Sequence, residues 1–315
     1  MNAIETSQLT KIYSGLGKKA TRSLDHLSLS VQEGEIFGFL GRNGAGKTTT
    51  IKLLCSLLKP TSGEAFLFGQ NARTRESRRL LGYLPEQPYF YEFLTPRETL
   101  DFYGKLRGLA SSERTRQWER LSELLDLKDI ANQRIKSFSK GMRQRIGFAV
   151  ALVGDPPLLI LDEPMSGLDP VGRRTIRELI LRCRDEKKTI FFSSHVLADV
   201  ELICDRVGIL VRGQLTQCGR VDALLGGHVD QVELVVRGIR AETQATLREQ
   251  AEQHRILEDV EVFVLGSRAA ANDAIRLVQA GGGEVVELHP IKARLEDYFM
   301  REQARHEEVP RGDVA

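Results

Sequence analysis

Residues 35–58 read EIFGFLGRNGAGKTTTIKLLCSLL. The opening EIFGFL is apolar nearly throughout, the pattern of a strand buried on both faces rather than one washed by water. The closing IKLLCSLL is an apolar-rich helix. Between them Gly41, Gly46, Lys47 and Thr48 satisfy GxxxxGK[ST]. Few folds accept a buried strand that runs through a glycine loop straight into a helix. Glycines let the backbone turn its N–H groups inward, and the helix start adds its positive dipole end, so the loop is built to hold phosphate. Lys47 is placed to reach the β and γ phosphates, and the Thr48 hydroxyl to ligate Mg²⁺. The loop implies nucleotide binding and does not name a reaction.

The rest of the chain supports a layered core. SLDHLSLSVQEGEIFGFLG reads as two short strands around a turn at Glu33-Gly34. PLLILDEP is another buried strand, RRTIRELILRCRDE an amphipathic helix, and KTIFFSSH a further strand. Alternating strands and helices predict an α/β core with a parallel sheet. Residues from about 86 to 157 are mainly helical and form a predicted lobe of a nucleotide-binding domain spanning 1–225. The composition changes near Gly226-Gly227. There VDQVELVVRG, AETQATLREQAEQ, VEVFVLG, AAANDAIRLVQAGG and EVVELHP read as strand, helix, strand, helix, strand, closed by a short helix KARLEDYFM. That is a small α+β domain over 226–302, followed by a polar tail, 303–315, expected to be disordered.

With 315 residues and 41% hydrophobic content the chain can bury a sizeable core. A net charge of +2 gives no bias towards nucleic acid. Cys55, Cys183, Cys204 and Cys218 make no CxxC pair, which argues against a zinc site or a disulfide framework and fits a reducing, cytoplasmic setting. No apolar run reaches the roughly 18–20 residues needed to span a bilayer. The expectation is a protein that is soluble or reaches a membrane through a partner.

The run LLILDEP places two acids, Asp162 and Glu163, at the end of a buried strand. Ligands of open α/β sheets bind beyond the carboxyl ends of the strands. Beside a phosphate loop, Asp162 is placed to hold Mg²⁺, directly or through water, and Glu163 to polarise an attacking water. A second carboxylate points to hydrolysis rather than tight holding.

A second glycine turn, SFSKGMRQR, precedes LILDEP, and SGLDP and FFSSH follow it. In order and spacing this set resembles the ATP-binding cassette ATPases over roughly residues 3–225. The resemblance implies a P-loop NTPase parallel sheet with an antiparallel β edge and a helical lobe, and ATP with Mg²⁺ as substrate and cofactor. It implies head-to-tail pairs of subunits, homomeric or heteromeric, in which Ser139 and Gly141 touch the γ-phosphate held by the partner's phosphate loop. Phe138, Lys140 and Met142 depart from the common LSGGQ form, while the serine and second glycine stay. The serine also suits the N-cap of the following helix. By the same resemblance, Asn43, Gly44 and Ala45 shape the phosphate loop, Thr49 reaches the α-phosphate, His195 contacts the γ-phosphate in concert with Glu163, and Asp169 communicates between subunits. Tyr13 sits where the family stacks adenine, with packing within a hairpin or core as its other reading. In LGYLPEQP the family's Mg²⁺-sensing glutamine falls at Glu86, with Gln87 as the alternative.

FSKGM, LPE and the C-terminal RLEDYFM resemble the ATPase subunits of export-type transporters, drug-resistance ATPases among them, which are encoded apart from their permease. The implied partner is a polytopic membrane permease, with the ATPase peripheral on the cytoplasmic face and no nucleic acid bound. Tyr89, Phe90, Tyr91 and Phe93 cluster in the helical lobe, either as a docking groove for a permease helix or as the core of the lobe. The C-terminal domain, whose His228, His254 and His289 are dispersed, is expected to support dimerisation or regulation. The competing class is a soluble mechanochemical ATPase acting on ribosomes or DNA. Its members usually carry two cassettes in one chain, or a coiled-coil or zinc insertion, and this chain has neither.

Overall fold

The computed structural model describes residues 1–15, 18–225, 231–291, 295, 296 and 299. The chain divides into two compact units, Met1–Val221 and Asp222–Arg301. In chain order the first contains β1 (Asn2–Gly15), β2 (Lys18–Gln32), β3 (Ile36–Leu40), α1 (Lys47–Leu54), β4 (Ser62–Leu67), β5 (Gln70–Asn71) and α2 (Arg75–Arg79). It continues with β6 (Leu81–Leu84), α3 (Pro96–Leu106), α4 (Ser111–Leu124), α5 (Lys140–Leu152), β7 (Leu158–Leu161) and α6 (Pro170–Asp185). Then come β8 (Thr189–Ser194), α7 (Leu197–Ile203), β9 (Arg206–Val211) and β10 (Gln214–Arg220), with α8 (Val221–Leu225) at the boundary.

The central sheet has the order β10-β9-β3-β8-β7-β6. β9, β3, β8, β7 and β6 run parallel, and only β10 is antiparallel, at the edge. Every residue of β3, β7 and β8 is buried, which explains why β3 and β7 read as unbroken apolar runs. Phe191 of β8 stacks on Phe37 of β3 with ring centroids 5.7 Å apart. The core therefore fixes β8 against β3 in the register Phe37↔Phe191 and Leu40↔Ser194. That register brings the carboxyl ends of the two strands side by side.

The N-terminal region departs from the sequence expectation of two short strands around Glu33-Gly34. β2 is 15 residues long and pairs with β1 in a separate four-stranded antiparallel sheet, β2-β1-β4-β5. The Glu33-Gly34 turn is a crossover between sheets, with Gly34 at φ 77°. The reason is alternation: along LDHLSLSV the buried residues Leu24, Leu27, Leu29 and Val31 suit a sheet packed on one face.

α3, α4 and α5 form the helical lobe. A capping box at Thr95 and Glu98 starts α3, and the Ser139 hydroxyl caps α5 by accepting from Met142 N–H at 3.3 Å. No helix among the described residues is long and apolar enough to cross a membrane.

The second unit is a four-stranded antiparallel sheet of order β12-β13-β11-β14. It is built from β11 (Gln231–Arg237), α9 (Ala241–Gln250), β12 (Ala251–Leu257), β13 (Val260–Leu265), α10 (Arg268–Ala280) and β14 (Glu284–Ile291). Val232, Leu234 and Val236 alternate along β11 into a core shared with Leu247, Phe263, Ala271, Ala274 and Val278. The expected helix AETQATLREQAEQ ends early, at Gln250, and AEQHRIL forms β12. Glu258 at φ 49° opens the two-residue turn that folds β12 back on β13. β12 is a mostly exposed edge strand, so it lacks the apolar alternation that marks a strand in sequence. The Gly226-Gly227 boundary and the tail 303–315 lie outside the described residues. So does most of KARLEDYFM, of which Leu295, Glu296 and Phe299 are described.

Candidate active site

The parallel sheet delivers its chemistry at the carboxyl ends of neighbouring strands. β3 runs into the glycine loop, β6 into Pro85-Glu86, β7 into Asp162-Glu163 and β8 into His195. A cleft of about 510 Å³ opens there, lined by Asn43, Gly44, Gly46, Lys47, Thr48, Thr49, Glu86, Glu163 and His195 among others.

The loop needs its glycines for two separate reasons. Gly46 has φ 113°, and a Cβ there would lie 2.6 Å from the Ser23 carbonyl oxygen. Gly41 has ordinary dihedrals, but a Cβ would lie 2.7 Å from the Leu210 carbonyl oxygen. Lys47 is buried, and its ammonium folds back to donate to the Gly41 carbonyl at 2.6 Å. It also lies 3.2 Å from Glu163 Oε1. The cation is thus held between the Gly41 and Arg42 carbonyls and the Glu163 carboxylate.

The acids are held by a residue that the sequence reading passed over. Ser193 O–H donates to Asp162 Oδ1 at 2.7 Å, and Ser193 Oγ accepts from Glu163 N–H at 2.9 Å. One hydroxyl therefore clips both acids to the end of β8. The signal was the first of the two serines in FFSSH. Glu163 sits at φ 48°, a left-handed conformation for a non-glycine residue. It turns its carboxylate into the cleft at a cost of about 1–2 kcal/mol. His195 Nδ1 lies 2.7 Å from Glu163 Oε2, while the buried Oε1 has no hydrogen-bond partner among the described residues. Gln144 of α5, buried, donates to the Pro164 carbonyl at 2.9 Å and joins the lobe to this acidic loop.

Thr48 O–H donates to Asp162 Oδ1 at 3.4 Å. Burial raises the Asp162 pKa, and the neighbouring Glu163 charge adds to the rise, while the Ser193 and Thr48 hydroxyls and Lys47 oppose it. Two carboxylates side by side in a desolvated cleft call for a cation. No cluster of three or more His, Cys, Asp or Glu residues exists among the described residues to cage one. A hydroxyl and a single carboxylate, with phosphate oxygens and water completing the shell, is the donor set of Mg²⁺. Glu86 lines the cleft, whereas Gln87 lines only the adjoining depression that leads to Tyr89 and Gln144.

Tyr13 is 42% exposed on β1, and its hydroxyl lies 3.5 Å from Thr49 Oγ1. Thr49 in turn lies 2.9 Å from Ser23 Oγ. The tyrosine ring is therefore outside the core and anchored to the edge of the phosphate loop. Ser139, Gly141 and Asp169 are not in the cleft. They line a separate depression with Lys140, Met142 and Leu168, where Asp169 caps α6 by accepting from Gly172 N–H at 2.7 Å. Of the aromatic cluster, Tyr89, Tyr91 and Phe93 are exposed and Phe90 is buried.

The ABC transporter family model matches residues 24–166. An uncharacterised ABC transporter ATP-binding protein of Synechocystis is 40% identical over 306 residues, covering 96% of this chain and 84% of its own. The chain belongs to the ABC transporter ATP-binding proteins. This ABC ATPase is also 37% identical over 310 residues to the bacitracin transport ATP-binding protein BcrA of Bacillus licheniformis, covering 95% of this chain and 96% of BcrA. Among solved structures, the ATP-binding subunit of an ABC transporter shares 32% identity at a TM-score of 0.63, over 70% of this chain and 91% of that one. A dimeric ATP-binding cassette in a post-hydrolysis state with ADP and Pi superposes at a TM-score of 0.64. At 23% identity, covering 69% of this chain and 98% of that cassette, it bears on the fold alone. The ABC ATPase thus has the cassette fold and the ATP chemistry of its family.

Proposed function

We propose that this chain is the ATP-hydrolysing subunit of an export-type transporter whose membrane permease is a separate polypeptide. The observation that carries the reading is the convergence of Lys47, Thr48, Asp162, Glu163 and His195 around one cleft. The glycine-loop N–H groups and Lys47 bind the β and γ phosphates of ATP, Thr49 reaches the α-phosphate, and Tyr13 stacks on the adenine. Thr48 and Asp162 hold Mg²⁺, with Glu86 as its further ligand. When bound, the ion neutralises charge that develops on the phosphates. Glu163, ion-paired through Oε1 with Lys47, accepts the proton of the attacking water, and His195 keeps the carboxylate aimed through Oε2.

Ser139 and Gly141 lie outside this cleft and serve the ATP of a second subunit in a head-to-tail pair, with Asp169 alongside. The separate depression that holds these three residues supports that division. ATP closes the pair, and hydrolysis reopens it. The exposed Tyr89, Tyr91 and Phe93 receive the permease, which places the subunit on the cytoplasmic face of the membrane. The relatedness to a bacitracin transport protein supports export. Family membership speaks for transport over action on ribosomes or DNA.

The test is recovery of tagged Glu163→Gln protein from detergent-solubilised native membranes with ATP present. A polytopic membrane protein in stoichiometric ratio is expected. Recovery only from the soluble fraction, with ribosomes, DNA or nothing, overturns the transport reading.

A further inference from the structure

α7 contributes no side chain to the cleft, yet it begins two residues after His195. Its placement decides where the histidine loop emerges. One contact is with β3: a Cβ on Gly38 would lie 2.8 Å from Cys204 Sγ and 2.9 Å from Val200 Cγ1. Glycine at that position is what lets the helix settle directly on the strand that feeds the phosphate loop. The other contact is electrostatic. Asp199, 2% exposed, accepts from Arg177 Nη1 at 2.6 Å. Arg177 belongs to α6, the helix capped by Asp169.

As a source of stability this pair is poor. The Asp199 carboxylate leaves water while the Arg177 side chain stays 26% exposed, and Asp199 Oδ2 is buried with no hydrogen-bond partner among the described residues. Apolar residues of similar volume would hold the two helices at least as well. What the pair supplies instead is a fixed register between α6 and α7. A guanidinium meets a carboxylate at one distance and in one direction, whereas apolar side chains tolerate sliding.

We propose that Arg177 and Asp199 are positioning residues for ATP hydrolysis. Their ion pair sets α7 so that His195 meets Glu163, and it links the Asp169 end of α6 to that meeting. Neither residue lines the cleft. The inference rests on the reading that His195 acts in hydrolysis.

The experiment compares the purified full-length protein with Arg177→Met/Asp199→Leu, with His195→Ala, and with the triple variant. The double variant removes both charges together and leaves no unpaired buried carboxylate. Its expected unfolding midpoint is at or above that of wild type. Its KM for ATP stays within about twofold while kcat falls at least about tenfold. Adding His195→Ala to it costs little more, because the pair acts through that histidine. A folded double variant with wild-type kcat, or a loss that adds in full to that of His195→Ala, overturns the proposal. If the double variant does not fold, Arg177→Lys gives the same readout, since it keeps the charge and loses the planar fork. Lowered kcat at unchanged KM supports the pairing role, and wild-type kcat overturns it. Wild-type turnover in His195→Ala alone refutes the catalytic reading of the histidine, and the inference falls with it.

Discussion

Glu163 is held between a lysine and a histidine: Lys47 Nζ lies 3.2 Å from Oε1 and His195 Nδ1 lies 2.7 Å from Oε2. Both contacts aim the carboxylate, and neither occupies Oε1 with a hydrogen bond. Replacing Glu163 with Gln keeps the shape and removes the proposed proton acceptor. ATP turnover is expected to fall by about 10²–10⁴-fold, the usual worth of a general base. ATP binding survives, because the glycine loop and Lys47 are untouched. The variant is expected to accumulate as an ATP-bound dimer, seen as a doubling of mass in solution on adding ATP. Wild-type turnover in this variant removes Glu163 from the role.

Asp162 gives a pH dependence with a definite sign. Burial raises its pKa in the folded protein above the ordinary 3.8. The folded state therefore binds the proton more tightly than the unfolded chain. The contribution of this one group to the stability of the nucleotide-free protein is fully present below the unfolded pKa and is lost as pH rises through the folded value. Asp162→Asn is expected to flatten this decline and raise the unfolding midpoint of the nucleotide-free protein near neutral pH. On the proposed Mg²⁺-holding role of Asp162, ATP turnover of the same variant falls at least about a hundredfold. A midpoint below that of wild type at neutral pH, with the decline intact, contradicts the assignment.

Much of this site was legible because its parts are contiguous strings. A phosphate loop is a run of residues, and an acid pair at the end of a buried strand announces itself through LLIL. What the sequence could not show is how separate strings meet. Ser193 clips Asp162 and Glu163 from a neighbouring strand, and that depends on the register of β7 against β8. Arg177 and Asp199 lie 22 residues apart on different helices, and nothing local pairs them. β12 escaped notice because an exposed edge strand carries no apolar period, and tertiary pairing with β13 overrides its polar composition. Tyr91 and Phe90 are neighbours in a single run of aromatics, yet one is exposed and the other buried. Composition alone cannot separate a docking surface from a core.

The two left-handed glycines of the loop are expected to respond differently to alanine. Gly46 combines φ 113° with a would-be Cβ only 2.6 Å from a backbone oxygen, whereas Gly44, at φ 80°, has nothing within 4 Å. Gly44→Ala costs about 1 kcal/mol for the dihedral alone. Gly46→Ala adds a collision with Ser23 that side-chain motion cannot relieve, for a total of about 2–4 kcal/mol. Denaturant unfolding of the two variants measures the gap. Equal losses contradict a sterically closed Gly46.

The proposed stacking role of Tyr13 predicts that recognition of the base separates from chemistry on the phosphates. Its ring is exposed, its hydroxyl lies 3.5 Å from Thr49 Oγ1, and Lys11 Nζ sits 5.3 Å from the ring centroid. A stacked base exchanges water for an aromatic face, and losing the face costs about 1–3 kcal/mol. Tyr13→Ala is therefore expected to weaken ATP binding about tenfold or more. Its kcat at saturating ATP should change little, since the residue lies outside the hydrolytic cluster. Tyr13→Trp should restore the affinity. Because stacking reads the π-face and not the hydrogen-bonding edge, GTP is expected to suffer the same loss as ATP. Nucleotide titrations of the three proteins decide it. Unchanged affinity in the alanine variant returns Tyr13 to a packing role on β1.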